Sequence, residues 1–167
     1  MIDIDDIPHS LRNNVVDFII GTGNQQFTGI ELLPLWKEKI FMAVPECHRQ
    51  AYKKLATLAD FEKDKFICLP QNFSYRRFTD RLLAEAGISP KTIIECFPGH
   101  IAPLIRETLS VSIIPEALIL NSEPETYHGV ALIPIQNTYR TIVLYYKKKS
   151  RQRPAEKKFQ HYIKLIY

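Results

Sequence analysis

The chain alternates short apolar runs, closed by proline or glycine, with segments whose apolar residues recur at helical spacing. The clearest such unit runs from Phe66 to Gly87. FICL (Phe66 to Leu69) reads as a strand buried on both faces and closed by Pro70. Gln71, Asn72 and Ser74 make a polar turn, with Ser74 placed to N-cap a helix starting at Tyr75. Phe78, Leu82 and Ala86 then share one helical face, Arg81 and Glu85 pair four apart on the other side, and Gly87 supplies a left-handed stop. A strand feeding a helix through such a turn leaves backbone N–H groups at a positive helix end, which suits an anion. An ordinary βα connection has the same pattern, and these residues alone leave both readings open.

Around this unit the pattern predicts further elements in chain order. IDID (Ile2 to Asp5) alternates as a strand does, Ile7 to Asn14 suits a short helix with Leu11 inward, and VVDFII (Val15 to Ile20) a second strand. Gly21-Thr22-Gly23 is too incomplete for a phosphate cradle, because no third glycine or helix signal follows. Gly29 to Trp36 is extended, IFMAV (Ile40 to Val44) is a buried strand, and Leu55 to Phe61 is a short amphipathic segment. IIECF (Ile93 to Phe97) is a strand ended by Pro98-Gly99, followed by a helix over His100 to Leu109 and the strand VSII (Val111 to Ile114). Strand and helix thus alternate three times between residues 40 and 120, the signature of a parallel doubly wound sheet. ALIPI (Ala131 to Ile135) and TIVLYY (Thr141 to Tyr146) are predicted strands. Ala155 to Ile166 is a closing helix with Phe159, Tyr162, Ile163 and Ile166 on one face.

Composition narrows the class. With 167 residues, 46% hydrophobic and 24% charged, this is an ordinary globular chain able to bury one core or two small lobes. No apolar run approaches a membrane span and the acidic start lacks a secretory pattern, so a cytoplasmic location is expected. The three cysteines, Cys47, Cys68 and Cys96, form no CxxC pair and read as reduced, buried thiols, and neither they nor the five histidines show metal-ligand spacing. No cofactor is implied. The net charge of +4 conceals a polarity, since residues 140 to 167 carry nine basic residues against Glu156 alone. KKKSRQR (Lys147 to Arg153) could contact nucleic acid, or could be a solvated basic edge balancing Asp3, Asp5, Asp6 and Asp17. The balancing edge is the simpler reading, because no aromatic or glycine-rich signature accompanies the run.

The succession VVDFIIGTG, LWKEKIFMAVPECH, LADFEKDKFICL, FTDRLLAEAGISP, LSVSIIPEA and GVALIPI resembles the effector-binding domain of LysR-type transcriptional regulators over almost the whole chain. Val16-Asp17 stands where the family usually has leucine or isoleucine followed by aspartate. Glu38, Pro45 and His48 match its E-x-L-x-x-V-x-P-x-x-H stretch, and Ala86-Gly87 ends the helix after the central strand. Over Thr108-Leu109-Ser110-Val111-Ser112-Ile113-Ile114-Pro115 the chain keeps the proline that closes the family's A-G-x-G-I-x-x-x-P stretch and has neither of its glycines. The resemblance implies an α/β fold of periplasmic-binding-protein type 2-like form, with two doubly wound lobes joined by two crossover strands. Residues 1–37 and 133–167 would form lobe I, incomplete for want of its first βα unit, and residues 38–132 a complete lobe II. No helix-turn-helix precedes Met1, so DNA contact would need a domain outside this chain.

In this fold a ligand lies at the carboxyl ends of strands, where turns and helix starts converge. Carried onto this chain, the resemblance implies a small anionic effector held by Gln71, Asn72 and Ser74, by Gly99 and His100, and by Thr22 from lobe I. His100 would favour anions below pH ~6.5. A homodimer or larger homo-oligomer is expected, with no membrane partner and no catalytic residue. An enzyme on the same fold would need a nucleophile and base, and Ser74 with His100 has no evident orienting acid. A transport solute-binding protein would need an export signal.

Overall fold

The computed structural model describes residues 6–23, 25–90, 93–148 and 153–166. The predicted strand at Ile2 to Asp5 and most of Lys147 to Arg153 lie outside the described residues. The chain divides into two compact units, residues 1–38 with 140–167 and residues 39–139. Two strands pass from one unit to the other, β2 (Ile30–Pro45) and β6 (Val130–Lys147). The return boundary therefore falls at Tyr139/Arg140, inside β6, seven residues beyond the expected switch at residue 133.

These two strands are the main departure from the expected architecture. The pattern predicts two shorter strands in each stretch, but Lys37, Glu38 and Lys39 do not interrupt β2. They continue its alternation, exposed, buried, exposed, before Ile40 turns inward again. Glu38 is only 2% exposed, and its carboxylate accepts a hydrogen bond from Arg140 Nε in an ion pair. A buried carboxylate would be costly without such a partner. β6 also bends within its length, because Asn137 adopts φ 51°, a conformation asparagine tolerates better than most residues.

In the first unit β1 (Phe18–Thr22) lies antiparallel to β6, with Ile20 opposite Leu144. Alternation on β6 sorts the packing. Val143 and Tyr145 meet Ile7 and Leu11 of α1 (Ile7–Arg12), whereas Leu144 packs with Leu35 and with Ile163 of α5 (Pro154–Ile166). Arg153 fastens the start of α5: its guanidinium bonds Asp17 and Glu156, and its N–H donates to Glu156 Oε2 at 3.1 Å. The expected apolar face of α5 is corrected. Ile163 is buried, but Tyr162 and Ile166 are more than half exposed.

In the second unit the hydrogen-bonded strand order is β2-β5-β3-β4. β3 (Phe66–Cys68), β4 (Ile93–Glu95) and β5 (Val111–Pro115) are parallel, while β2 pairs antiparallel with β5, so the sheet is mixed rather than wholly parallel. β3 and β5 are buried along their whole length, as their continuous apolar runs require. Connections through α2 (Ser74–Glu85) and α3 (Ile101–Thr108) return the chain to the same sheet, contributing Leu83, Ile101 and Ile105 to one core with Phe61, Phe66 and Val111. Because the three strands are parallel, the turns entering α2, α3 and α4 (Glu116–Leu120) all lie at one carboxyl edge.

Candidate functional site at the carboxyl edge of the parallel strands

The edge is built from the ends of β3 and β4. Cys96 N–H donates to Cys68 O at 3.1 Å, continuing the pairing one residue past the end of β4. The chain then turns twice: Phe73 N–H donates to Pro70 O at 3.0 Å before α2, and His100 N–H to Phe97 O at 2.9 Å before α3. The rings of Phe73 and Phe97 meet edge to face, 6.0 Å between centroids at 67°. This contact joins the two turns.

The expected ligand residues fall on this frame as follows. Gln71 and Asn72 are exposed in the first turn, and Ser74 is half-buried as the first residue of α2. Ser74 is not the N-cap. Phe73 holds that position with extended backbone and makes no side-chain cap hydrogen bond, and its carbonyl accepts Arg76 N–H at 3.0 Å. Gly99 and His100 are exposed in a single 3-10 turn, Pro98–His100, that runs directly into α3 with His100 at its N-cap. A side chain at Gly99 would meet nothing within 4 Å, so this turn is open. The second unit thus brings Gln71 to Ser74 and Gly99-His100 to one edge. Thr22 ends β1 in the first unit, opposite Ile142.

The largest electrostatic feature was hidden from periodicity. Arg76, in the first turn of α2, is only 5% exposed. Its Nε donates to Asp80 Oδ1 at 2.7 Å, and its Nη1 donates to Glu95 Oε1 at 2.6 Å and to Leu69 O at 2.9 Å. One guanidinium therefore ties the helix start to the ends of β3 and β4, which sets the spacing of the two turns. Burial works against its charge, but the hydrogen bonds to Asp80 and Glu95 outweigh this and raise its pKa. This burial rotates α2: Tyr75, Arg76, Thr79 and Leu83 face inward, whereas Phe78 and Leu82 are only partly covered. The sequence signal was an arginine four residues before Asp80, an i,i+4 pair otherwise read as solvated surface.

This arrangement bears on covalent chemistry. Asp80 and Glu95 are engaged by Arg76. Burial pushes the Cys68 thiol up to about 11 against the opposing pull of Arg76, and raises Cys96 as well. Both thiols are protonated at neutral pH and weakly nucleophilic. Among the described residues no group of three His, Cys, Asp or Glu is placed to hold a metal ion, and no helix is long and apolar enough to cross a membrane. What the edge offers is hydrogen-bond donors and helix N-termini. Such ends contribute roughly 0.3–1 kcal/mol each towards an exposed anion.

Two α/β units connected by two long strands, with helix starts gathered at the carboxyl ends of parallel strands, define a periplasmic-binding-protein type 2-like fold of the kind found in effector-binding domains. Residues 3–164 match the LysR substrate binding domain, and the chain belongs to that family.

Among solved structures, the effector-binding domain of BenM with its effector benzoate superposes with a TM-score of 0.81 at 16% identity, covering 99% of this chain and 76% of that one. The effector-binding domain of QuiR in complex with shikimate gives 0.75 at 25% identity, covering 98% and 77%. The Bacillus subtilis (strain 168) transcriptional dual regulator GltC is 25% identical over 158 residues, 92% of this chain and 52% of the regulator. An uncharacterized HTH-type transcriptional regulator of the same organism, YybE, is 27% identical over 154 residues, with the same coverage. The chain thus spans about half the length of the curated relatives it matches.

Proposed function

We propose that this chain is the effector-sensing part of a LysR-type transcriptional regulator, and that its effector is a small anion bound at the carboxyl edge of β3 and β4. The observation that carries this reading is the pair of helix starts, α2 and α3, opening side by side through the Phe73–Phe97 contact. Asn72, Ser74 and His100 supply side-chain donors, Gln71 a further amide, and the open turn at Gly99 lets a ligand approach the backbone. The carboxylates benzoate and shikimate in the BenM and QuiR structures are ligands of this chemical kind.

On this reading the first unit is lobe I without its opening βα unit and the second is lobe II. The protein is cytoplasmic, works as a homo-oligomer, performs no catalysis, and contacts DNA through a helix-turn-helix domain that is not among these residues.

A thermal-shift screen with small carboxylates, sulfates and phosphates tests the reading. A true effector at 100 times its dissociation constant adds ~2.7 kcal/mol of stability. Ser74→Ala should weaken that binding about ten-fold while leaving the unliganded melting temperature within a degree or two, as expected for one charge-assisted hydrogen bond lost at a half-buried position. Unchanged affinity in this variant would place the site elsewhere.

A further inference from the structure

Phe97 is out of keeping with the part of the chain that holds it. It lies two residues beyond the end of β4, in extended conformation, with its carbonyl accepting His100 N–H, so its backbone is fixed. The residue is nevertheless 61% exposed. Its aromatic contact is the edge-to-face one with half-buried Phe73, itself flanked in sequence by Asn72 and Ser74. The other exposed apolar side chains of this unit, such as Tyr52, Leu55 and Leu120, lie outside the two turns. An isolated apolar side chain on a surface needs no explanation. A phenylalanine held open between donor-bearing turns, with a second ring braced against it, forms an apolar wall within a polar site. Small-molecule sites combine these elements: apolar surface for affinity, and a few placed polar groups for orientation.

We infer that Phe97, braced by Phe73, determines specificity in the proposed site by selecting effectors that carry a planar aryl group next to their anionic group. The inference rests on the proposed anion site. It adds that the flat part of the effector packs on Phe97 while its carboxylate reaches the donors of Asn72, Ser74 and His100. Aromatic rings attract one another beyond their area of contact, through the negative face and positive edge of each ring. A saturated ring of equal carbon number and equal charge lacks this complementarity.

The test compares benzoate with cyclohexanecarboxylate by calorimetric titration of the whole chain. The original chain should bind benzoate about three- to ten-fold more tightly, the range set by aromatic pair energies. Phe97→Ala removes an exposed ring, so the fold persists. It should abolish the preference by weakening benzoate while leaving cyclohexanecarboxylate within about two-fold. Phe73→Leu, which keeps the apolar volume but removes the brace, should narrow the preference in the same direction. Equal affinities in the original chain, or a preference that survives Phe97→Ala, would overturn the inference. Ser74→Ala keeps the two levels apart: it should weaken both acids alike. Loss of that common effect, or no saturable binding of either acid, overturns the anion site and this inference with it.

Discussion

Asp60 shows how single residues hold the second unit together. Its carboxylate accepts from Lys53 Nζ at 2.7 Å, from Thr57 N–H at 2.9 Å and from Thr57 Oγ1 at 3.1 Å, closing a capping box at the 3-10 turn Leu58–Phe61. The Lys53 hydrogen bond first, and the Thr57 backbone bond second, hold Asp60 below the usual carboxylate range. Because the folded pKa lies below the unfolded one, this stabilisation is complete above the ordinary carboxylate range and is lost as the pH falls through the folded value. Asp60→Asn should therefore lower the melting temperature by about 3 °C at pH 7, and the difference should shrink as acid protonates the original carboxylate. A deficit constant from pH 7 to pH 3 would contradict this account.

Nearby, Asp64 receives Arg49 through two parallel bonds of 2.8 and 3.1 Å. His48 accepts Gln50 N–H at Nδ1, directing Nε2 towards Asp64 at 3.3 Å. The histidine of the family-like stretch thus anchors a loop rather than joining the proposed site. Charges in the first unit are engaged similarly. Arg153 bonds Asp17 and Glu156, and Lys147 Nζ donates to the Arg12 carbonyl at 3.0 Å.

At the scale of elements, the turn from α3 into β5 places a residue other than glycine in the left-handed region. Leu109 caps α3 in the left-handed region, φ 52° and ψ 35°, with its side chain 62% exposed. Beside it Thr108 Oγ1 donates to Leu104 O, and the Thr108 and Ser110 hydroxyls lie 2.8 Å apart, with Ser110 fully buried. A left-handed leucine costs ~1–2 kcal/mol, and glycine recovers this at a chain-entropy cost of ~0.5–1 kcal/mol. Leu109→Gly should accordingly raise the melting temperature by about 2 °C, and a fall would show that the exposed side chain contributes packing not evident from its exposure.

Elements whose local signals agreed were legible in the sequence. FICL, the polar turn and Gly87 delimit β3 and α2 to within a residue at each end, the helix starting at Ser74 rather than Tyr75. The long strands were not legible, because a buried ion pair such as Glu38–Arg140 writes polar letters into a continuous strand. The inward face of α2 was missed for the same reason: Arg76 is buried by partners 4 and 19 residues away, and periodicity sees only apolar residues. In α5 the helical spacing of Phe159, Tyr162 and Ile166 does not amount to a buried face: Tyr162 and Ile166 stay largely open to solvent and Phe159 remains 40% exposed against Phe18.

For the whole molecule, the proposed site depends on topology more than on any residue. Parallel β3, β4 and β5 put successive turns at one edge, and Arg76 and the Phe73–Phe97 pair hold two of them together. The polar residues there were readable from the sequence. Their proximity followed from the family resemblance and not from local pattern, since it depends on contacts spanning 19 to 24 residues. β2 and β6 connect the two units twice. Backbone amide chemical-shift mapping during a benzoate titration tests this most directly. The account predicts saturable shifts with one dissociation constant at Asn72, Ser74, Tyr75, Gly99 and His100. Saturable shifts confined to other parts of the chain, with these amides unmoved, would contradict it.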